Sequence, residues 1–168
     1  MAAGTETSAA NAPELTVSRL IDAPPALVFE AWTSAEHAAR WWGPRGYTVE
    51  SCRLDARPGG GYRVAMRSPD GTLRTKRGVY QEVVPSERLV FTYAWEDADG
   101  NPGHEMRITV TFEPRGTRTL LSLRQTGFES VAERDSHRDG WTSCCERFAE
   151  FAAALSVSAP SDQRSGQH

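Results

Sequence analysis

The sequence predicts an α+β domain in which an antiparallel sheet lays one face against a long C-terminal helix. Three observations carry this prediction. Residues from Tyr47 to Thr126 alternate apolar and polar between well-marked turns, and the segments on either side repeat apolar residues at helical spacing. The order of segments is strand, two short helices, six strands, long helix, with no internal repeat. At 168 residues the chain has the length of one domain that can bury a core without disulfides or metals.

The first element is LTVSRLI, Leu15 to Ile21, rich enough in β-branched residues for a strand. Pro24 and Pro25 then suit the first turn of a helix, where a missing N–H costs nothing. Leu27, Val28, Ala31 and Trp32 continue at helical spacing, and Thr33 with Glu36 forms a capping-box pattern that would restart the helix toward Trp41. Gly43 and Pro44 stop it.

Turn chemistry at 57–61, 69–71, 85–86, 99–103 and 114–116 divides the next segment into six strands. One parity collects Tyr62, Val64, Met66, Tyr80, Leu89, Phe91, Tyr93, Trp95, His104, Met106, Ile108, Val110, Phe112, Leu121, Leu123 and Gln125. The other is largely Arg, Thr, Glu and Ser, so one face is buried and one wet, as in antiparallel sheets. Ser130 and Glu133 form a second capping box, and Trp141, Cys144 or Cys145, Phe148, Ala152 and Leu155 extend a helix to about Ser156. Gly140 within it marks either a close backbone approach or a break between two helical pieces. Residues 1–13 read as a disordered leader and 157–168 as a disordered tail around a domain spanning 14–156.

Composition narrows the function classes. The net charge is -3, and the basic charge is almost all arginine, with Lys76 the single lysine. Arg63, Arg67, Arg107 and Arg124 share an outer face interrupted by Glu105, Thr109 and Ser122, so no nucleic-acid partner is expected. No stretch approaches the roughly 20 apolar residues of a membrane helix, and the N-terminus lacks the basic and apolar regions of a signal peptide. Three cysteines, Cys52, Cys144 and Cys145, cannot all pair within one chain, which points to a reducing cytoplasm. Cys144 and Cys145 lack the paired spacing of a zinc site, so no metal is expected. Gly59, Gly60 and Gly61 precede a strand and lack the following lysine of a phosphate loop. No G-x-S-x-G is present, and Glu82, Glu105 and Glu113 do not converge as a glycosidase pair. Alanine and arginine richness is a composition associated with high-GC bacterial genomes.

The phrases IDAPPALVFEAWT, RWWGP, PGGGYRV, VVPSERLVFTY and the late GW before an apolar helix, in this order, resemble the activator-of-heat-shock-protein-90-ATPase homologues of the START-like, or SRPBCC, superfamily. The resemblance covers roughly 14–156. It implies a helix-grip fold, in which a curved seven-stranded antiparallel sheet wraps the C-terminal helix and two short helices after the first strand close one end. It implies less about chemistry, because the superfamily holds lipid carriers, aromatases and cyclases, receptors and chaperone activators.

A sheet gripping a helix leaves a space where small ligands bind. The wall expected from the strand parity is Tyr62, Met66, Tyr80, Phe91, Tyr93, His104, Met106 and Gln125, joined by Trp141 and Phe148 from the helix, with Trp41 and Trp42 near a mouth. Inward Tyr80, Tyr93, His104 and Gln125 need hydrogen-bond partners, which a ligand or water would supply. No catalytic residue is assigned; His104 is the candidate for acid–base work because its unperturbed pKa lies near neutrality. His137, one turn before Trp141, either caps the pocket floor or covers adjacent surface.

The reading is therefore a cofactor-independent binder of a small hydrophobic or aromatic molecule, a carrier or an enzyme. A protein-interaction module assisting a heat-shock-protein-90-type chaperone is the alternative. Eukaryotic activators carry this domain behind a chaperone-binding domain, where this chain has a short leader, so a chaperone partner is not expected. Trp41 and Trp42 leave open a homodimer patch beside the pocket-mouth reading.

Overall fold

Alternation along the middle of the chain resolves into the expected seven-stranded sheet in a computed structural model that describes residues 12–165, with side chains to 158. The elements are β1 (Glu14–Ile21), α1 (Pro25–Thr33), α2 (Ala35–Trp41), β2 (Thr48–Leu54), β3 (Gly61–Arg67), β4 (Leu73–Val84), β5 (Arg88–Trp95), β6 (Met106–Arg115), β7 (Arg118–Thr126) and α3 (Val131–Ser165). The spatial order is β1-β7-β6-β5-β4-β3-β2, antiparallel throughout, so the first strand pairs with the last. This is the helix-grip α+β architecture, with α3 lying across the sheet's apolar face.

Register follows side-chain parity. Leu89, Phe91, Tyr93, Met106, Ile108, Val110, Phe112, Leu121 and Leu123 are all buried, and Leu89 faces Val110 while Val110 faces Leu123 across neighbouring strands. Burial of each such side chain contributes about 1.5–3 kcal/mol. A one-residue slip would turn the whole set to solvent, which is why the pattern specifies the pairing. On the wet face, Arg63, Arg67 and Arg124 pair with Glu96, Glu50 and Glu14. The Arg67 and Arg124 pairs are exposed on both sides and contribute only ~0–1 kcal/mol each.

Helix boundaries depart from expectation in three places. Pro25 occupies the first turn of α1, but the cap that starts α2 is Ser34, whose Oγ accepts from the His37 N–H at 3.3 Å. Thr33 is still inside α1, and its hydroxyl donates back to the Phe29 carbonyl at 2.9 Å, so the Thr33–Glu36 box does not form. At α3, Ser130 Oγ accepts from Glu133 N as expected, and the Glu133 carboxylate reaches back to Glu129 N rather than to Ser130. The helix also runs through Gly140 without a break and on to Ser165, past Ser156. Its apolar stripe ends near Leu155, but helix propagation adds one backbone bond per residue and needs no packed face, so side-chain periodicity does not report the last turns. The expected tail thus overlaps the helix in part, and 166–168, like 1–11 of the expected leader, lie outside the described residues.

Candidate functional site

The interior beneath α3 is filled at one end and open at the other. Trp32, Trp41, Trp42, Tyr62, Tyr80, Phe91 and Phe148 form one contiguous aromatic cluster with centroid separations of 4.6–6.2 Å along its contacts. Trp41 and Trp42, expected at a mouth, are 0% and 1% exposed and stack on each other at 5.1 Å. They present surface neither for a mouth nor for a dimer patch. The Gly43–Pro44 stop lets the chain turn inward directly after α2, so two side chains at a helix end become core.

Beyond this cluster, a cavity of about 140 Å³ lies between β3, β4, β5 and α3, walled on its third side by the loop after α2. Three of the expected residues, Met66, Tyr93 and Trp141, line it. The rest of its lining includes Gly43, Pro44, Tyr47, Arg74, Lys76, Trp95, His137, Gly140 and Cys144. The space exists because small residues meet there. A Cβ on Gly140 would stand 3.7 Å from the Pro44 ring, and Gly43, at φ +100, could carry no Cβ without coming within 2.8 Å of Met66 Sδ. Arg147 pins that loop by donating from Nη1 to the carbonyls of Gly43, Pro44 and Tyr47 at 3.4, 3.4 and 3.0 Å.

The other expected residues are committed inside the fold. Tyr62 Oη donates to the Thr92 carbonyl at 2.6 Å, reaching across Gly78, where a Cβ would meet that same carbonyl oxygen at 1.9 Å. Gln125 Oε1 accepts from Trp141 Nε1 at 2.7 Å, and its amide nitrogen lies 3.3 Å from Met106 Sδ. These polar groups therefore find partners without a ligand. Tyr80, Phe91, Met106 and Phe148 pack in the core away from the cavity lining. His104 lies outside the cavity as well, because the turn after β5 extends through a Glu96–Pro102 bridge and β6 starts only at Met106. Its ring stands 3.1 Å from Glu133 and 3.4 Å from Glu129, so its neighbours are helix-end carboxylates and not the tyrosines.

The residue that sequence reasoning left aside is Lys76. It shares inward parity with Tyr80 on β4, sits opposite Val64 and Trp95, and is only 4% exposed. Its Nζ donates to Tyr93 Oη at 3.3 Å and lies 5.1–5.3 Å from the ring centroids of Trp42, Tyr93, Trp95 and Trp141. Burial pulls its pKa from 10.5 down to about 7, with Arg74 pushing the same way. The aromatic faces attract the charged form. The signal was in the parity, since residues 74, 76, 78 and 80 of a strand share one face.

His137 resolves toward the pocket. Its Nε2 accepts from Trp95 Nε1 at 3.0 Å and its Nδ1 donates to the Glu133 carbonyl at 2.9 Å, which fixes a neutral ring with the proton on Nδ1. Burial lowers its pKa in the same direction. The thiols offer no nucleophile. Burial raises the pKa of Cys144, and it pushes Cys52 up to about 11. Chemically, the cavity offers an apolar aromatic wall, the buried Lys76 amine with the Arg74 guanidinium at its edge, the phenols of Tyr47 and Tyr93, and the neutral imidazole of His137.

Comparison with known proteins agrees with this architecture. Residues 22–153 match the family model described as activator of Hsp90 ATPase homolog 1-like protein. Among solved structures, the AHSA1 protein of Silicibacter pomeroyi aligns at 26% identity with a TM-score of 0.78, over 85% of this chain and 99% of that one. A protein of Chromobacterium violaceum aligns at 27% identity and TM-score 0.76, over 83% of this chain and 96% of that one. An Arthrobacter aurescens protein at 23% identity and TM-score 0.74 covers 84% of this chain and 86% of its own, and supports the fold alone. No curated protein matches the chain in sequence. None of the described helices is long and apolar enough to cross a membrane.

Proposed function

We propose, from the premise that this chain belongs to the activator of Hsp90 ATPase homolog 1-like family, that it binds a small apolar or aromatic molecule in the cavity between sheet and C-terminal helix. It does so as a carrier or a cofactor-independent enzyme. The observation that carries this reading is the cavity of about 140 Å³, with aromatic walls and a few convergent polar groups, next to an otherwise filled core. Close packing elsewhere makes an opening of this size costly unless something occupies it. A reducing cytoplasm is the compartment proposed, supported by the three free cysteines.

Native mass spectrometry of protein purified from its own host tests the reading. A bound small molecule that is lost on Trp141→Phe or displaced by aromatic competitors is the expected result. Protein that carries no adduct and takes up no aromatic probe refutes it. In that event, a pull-down that recovers a heat-shock-protein-90-type chaperone would favour the interaction reading that the family's name suggests.

A further inference from the structure

Buried cations in folded proteins are normally paired, because an unpaired one carries a desolvation cost of several kcal/mol. Lys76 departs from this. The titratable and charged groups that face it are Cys52 from β2, Arg74 from its own strand, Tyr93 from β5, and Cys144 and His137 from α3. Among the described residues none of these is a carboxylate, and His137 is held neutral by its two hydrogen bonds. Arg74, exposed at the cavity's edge with its guanidinium 4.5 Å from the Trp95 ring, has no acidic partner among the described residues either. By contrast, arginines of the outer face pair with glutamates. A methionine would fill the volume of Lys76 with no charge to bury. One hydrogen bond to Tyr93 and the attraction of the ring faces are all that the fold offers the amine, and neither neutralises its charge.

The cavity and the two cations together describe what is missing. An engineered apolar cavity of roughly 150 Å³ accommodates one benzene, so about 140 Å³ suits a ligand of one-ring size. Resting on the pocket reading above, we propose that Lys76 is the recognition residue for a small organic anion: a carboxylate borne on a single aromatic ring or an apolar group of similar size. The carboxylate accepts a charge-assisted hydrogen bond from Lys76 Nζ, and the apolar body packs against the rings of Trp95 and Trp141. Arg74 at the edge adds attraction to the entering anion.

Binding is then coupled to protonation. An anion beside the amine favours its charged form, so above the pH at which free Lys76 gives up its proton, each binding event takes a proton from solvent. Below that pH the lysine already carries the proton and the uptake vanishes.

Isothermal titration calorimetry of the full chain with benzoate and with benzamide, its neutral counterpart of similar shape, tests this at about pH 8 in two buffers of different ionisation enthalpy. Benzoate is expected to bind at least about 10-fold tighter than benzamide, with uptake approaching a full proton. Lys76→Met should abolish both the preference and the uptake while keeping benzamide binding. Lys76→Arg should keep the preference without the uptake, because guanidinium does not titrate there, and so serves if the Met variant fails to fold. Equal binding of both probes, unchanged by either substitution, overturns the anion inference and leaves the pocket reading standing. Failure of both probes overturns the inference, and takes the pocket reading with it only if protein from its host also carries no small molecule.

Discussion

Replacing Lys76 by Met should make the protein more stable, and by an amount that depends on pH. Met keeps the length of the side chain in a site that is 4% exposed and removes the charge that the site does not neutralise. Folding shifts the lysine pKa from 10.5 to about 7, and at about 1.4 kcal/mol for each tenfold change in proton affinity this corresponds to about 5 kcal/mol. Attraction from the four surrounding ring faces, each worth ~0.5–1 kcal/mol, removes about 2–4 kcal/mol of this, so the expected gain at acid to neutral pH is about 1–3 kcal/mol.

The direction with pH follows from proton counting. Folded Lys76 releases its proton near pH 7 and unfolded lysine near 10.5. Between those values the unfolded chain binds more protons, so the lysine's contribution to wild-type stability rises with pH across the window. Below it the full cost is present, and above it the amine is neutral in both states and the variant's advantage disappears. Urea unfolding of both proteins, followed by tryptophan fluorescence at about pH 6, 8 and 10, gives the difference directly. Stability curves that run parallel from pH 6 to 10 would refute the buried, unpaired cation, and so would a variant less stable than wild type at pH 6.

Other substitutions separate site from scaffold. Tyr93→Phe keeps the ring but removes the hydroxyl that accepts from Lys76, so it should lower binding of a polar-headed ligand and cost about 1–3 kcal/mol of stability, whereas Tyr80→Phe should leave binding unchanged in the same titration. Gly140→Ala should raise stability by up to about 1 kcal/mol while weakening ligand binding, because its methyl fits 3.7 Å from Pro44 on the cavity side; a higher melting temperature with undiminished affinity would contradict this. Trp141→Ala should destabilise by about 3–5 kcal/mol in denaturant titration, since it opens a buried ring site and leaves Gln125 Oε1 without its donor. Gly78→Ala should cost more than about 2 kcal/mol, because a Cβ there lies 1.9 Å from the Thr92 carbonyl oxygen and 2.6 Å from Tyr62 Cε1.

The sheet was legible because period-two alternation reports one thing, the face on which a side chain lies, and nearly every residue of the apolar parity is buried. What parity does not report is whether a buried residue borders space or another side chain. Tyr62 and Gln125 point inward as expected, yet Thr92 and Trp141 satisfy them, and those partners come from elements 30 and 16 residues away. The cavity was illegible for a related reason. It is made by absent volume at Gly43 and Gly140, which have no sequence relation and meet only when α3 lies against the loop after α2. His104 was misplaced by two residues of turn, a distance within which helix and strand boundaries carry no periodic signal.

Lys76 fell between these two cases. Its inward parity could be read from Tyr80, but a lysine on a strand is normally solvated, and composition alone assigns it to the wet face. Its burial therefore opposes the local preference of the residue, and such conflicts concentrate at functional sites, where a fold retains a cost that packing alone would remove. The same side chain that lowers stability near neutral pH is the one that distinguishes an anionic from a neutral ligand in the cavity. If Lys76→Met proves both more stable and indifferent to ligand charge, stability and recognition trade against each other at a single nitrogen. A more stable variant with unaltered ligand preference would instead make the lysine an unexplained burden on the fold.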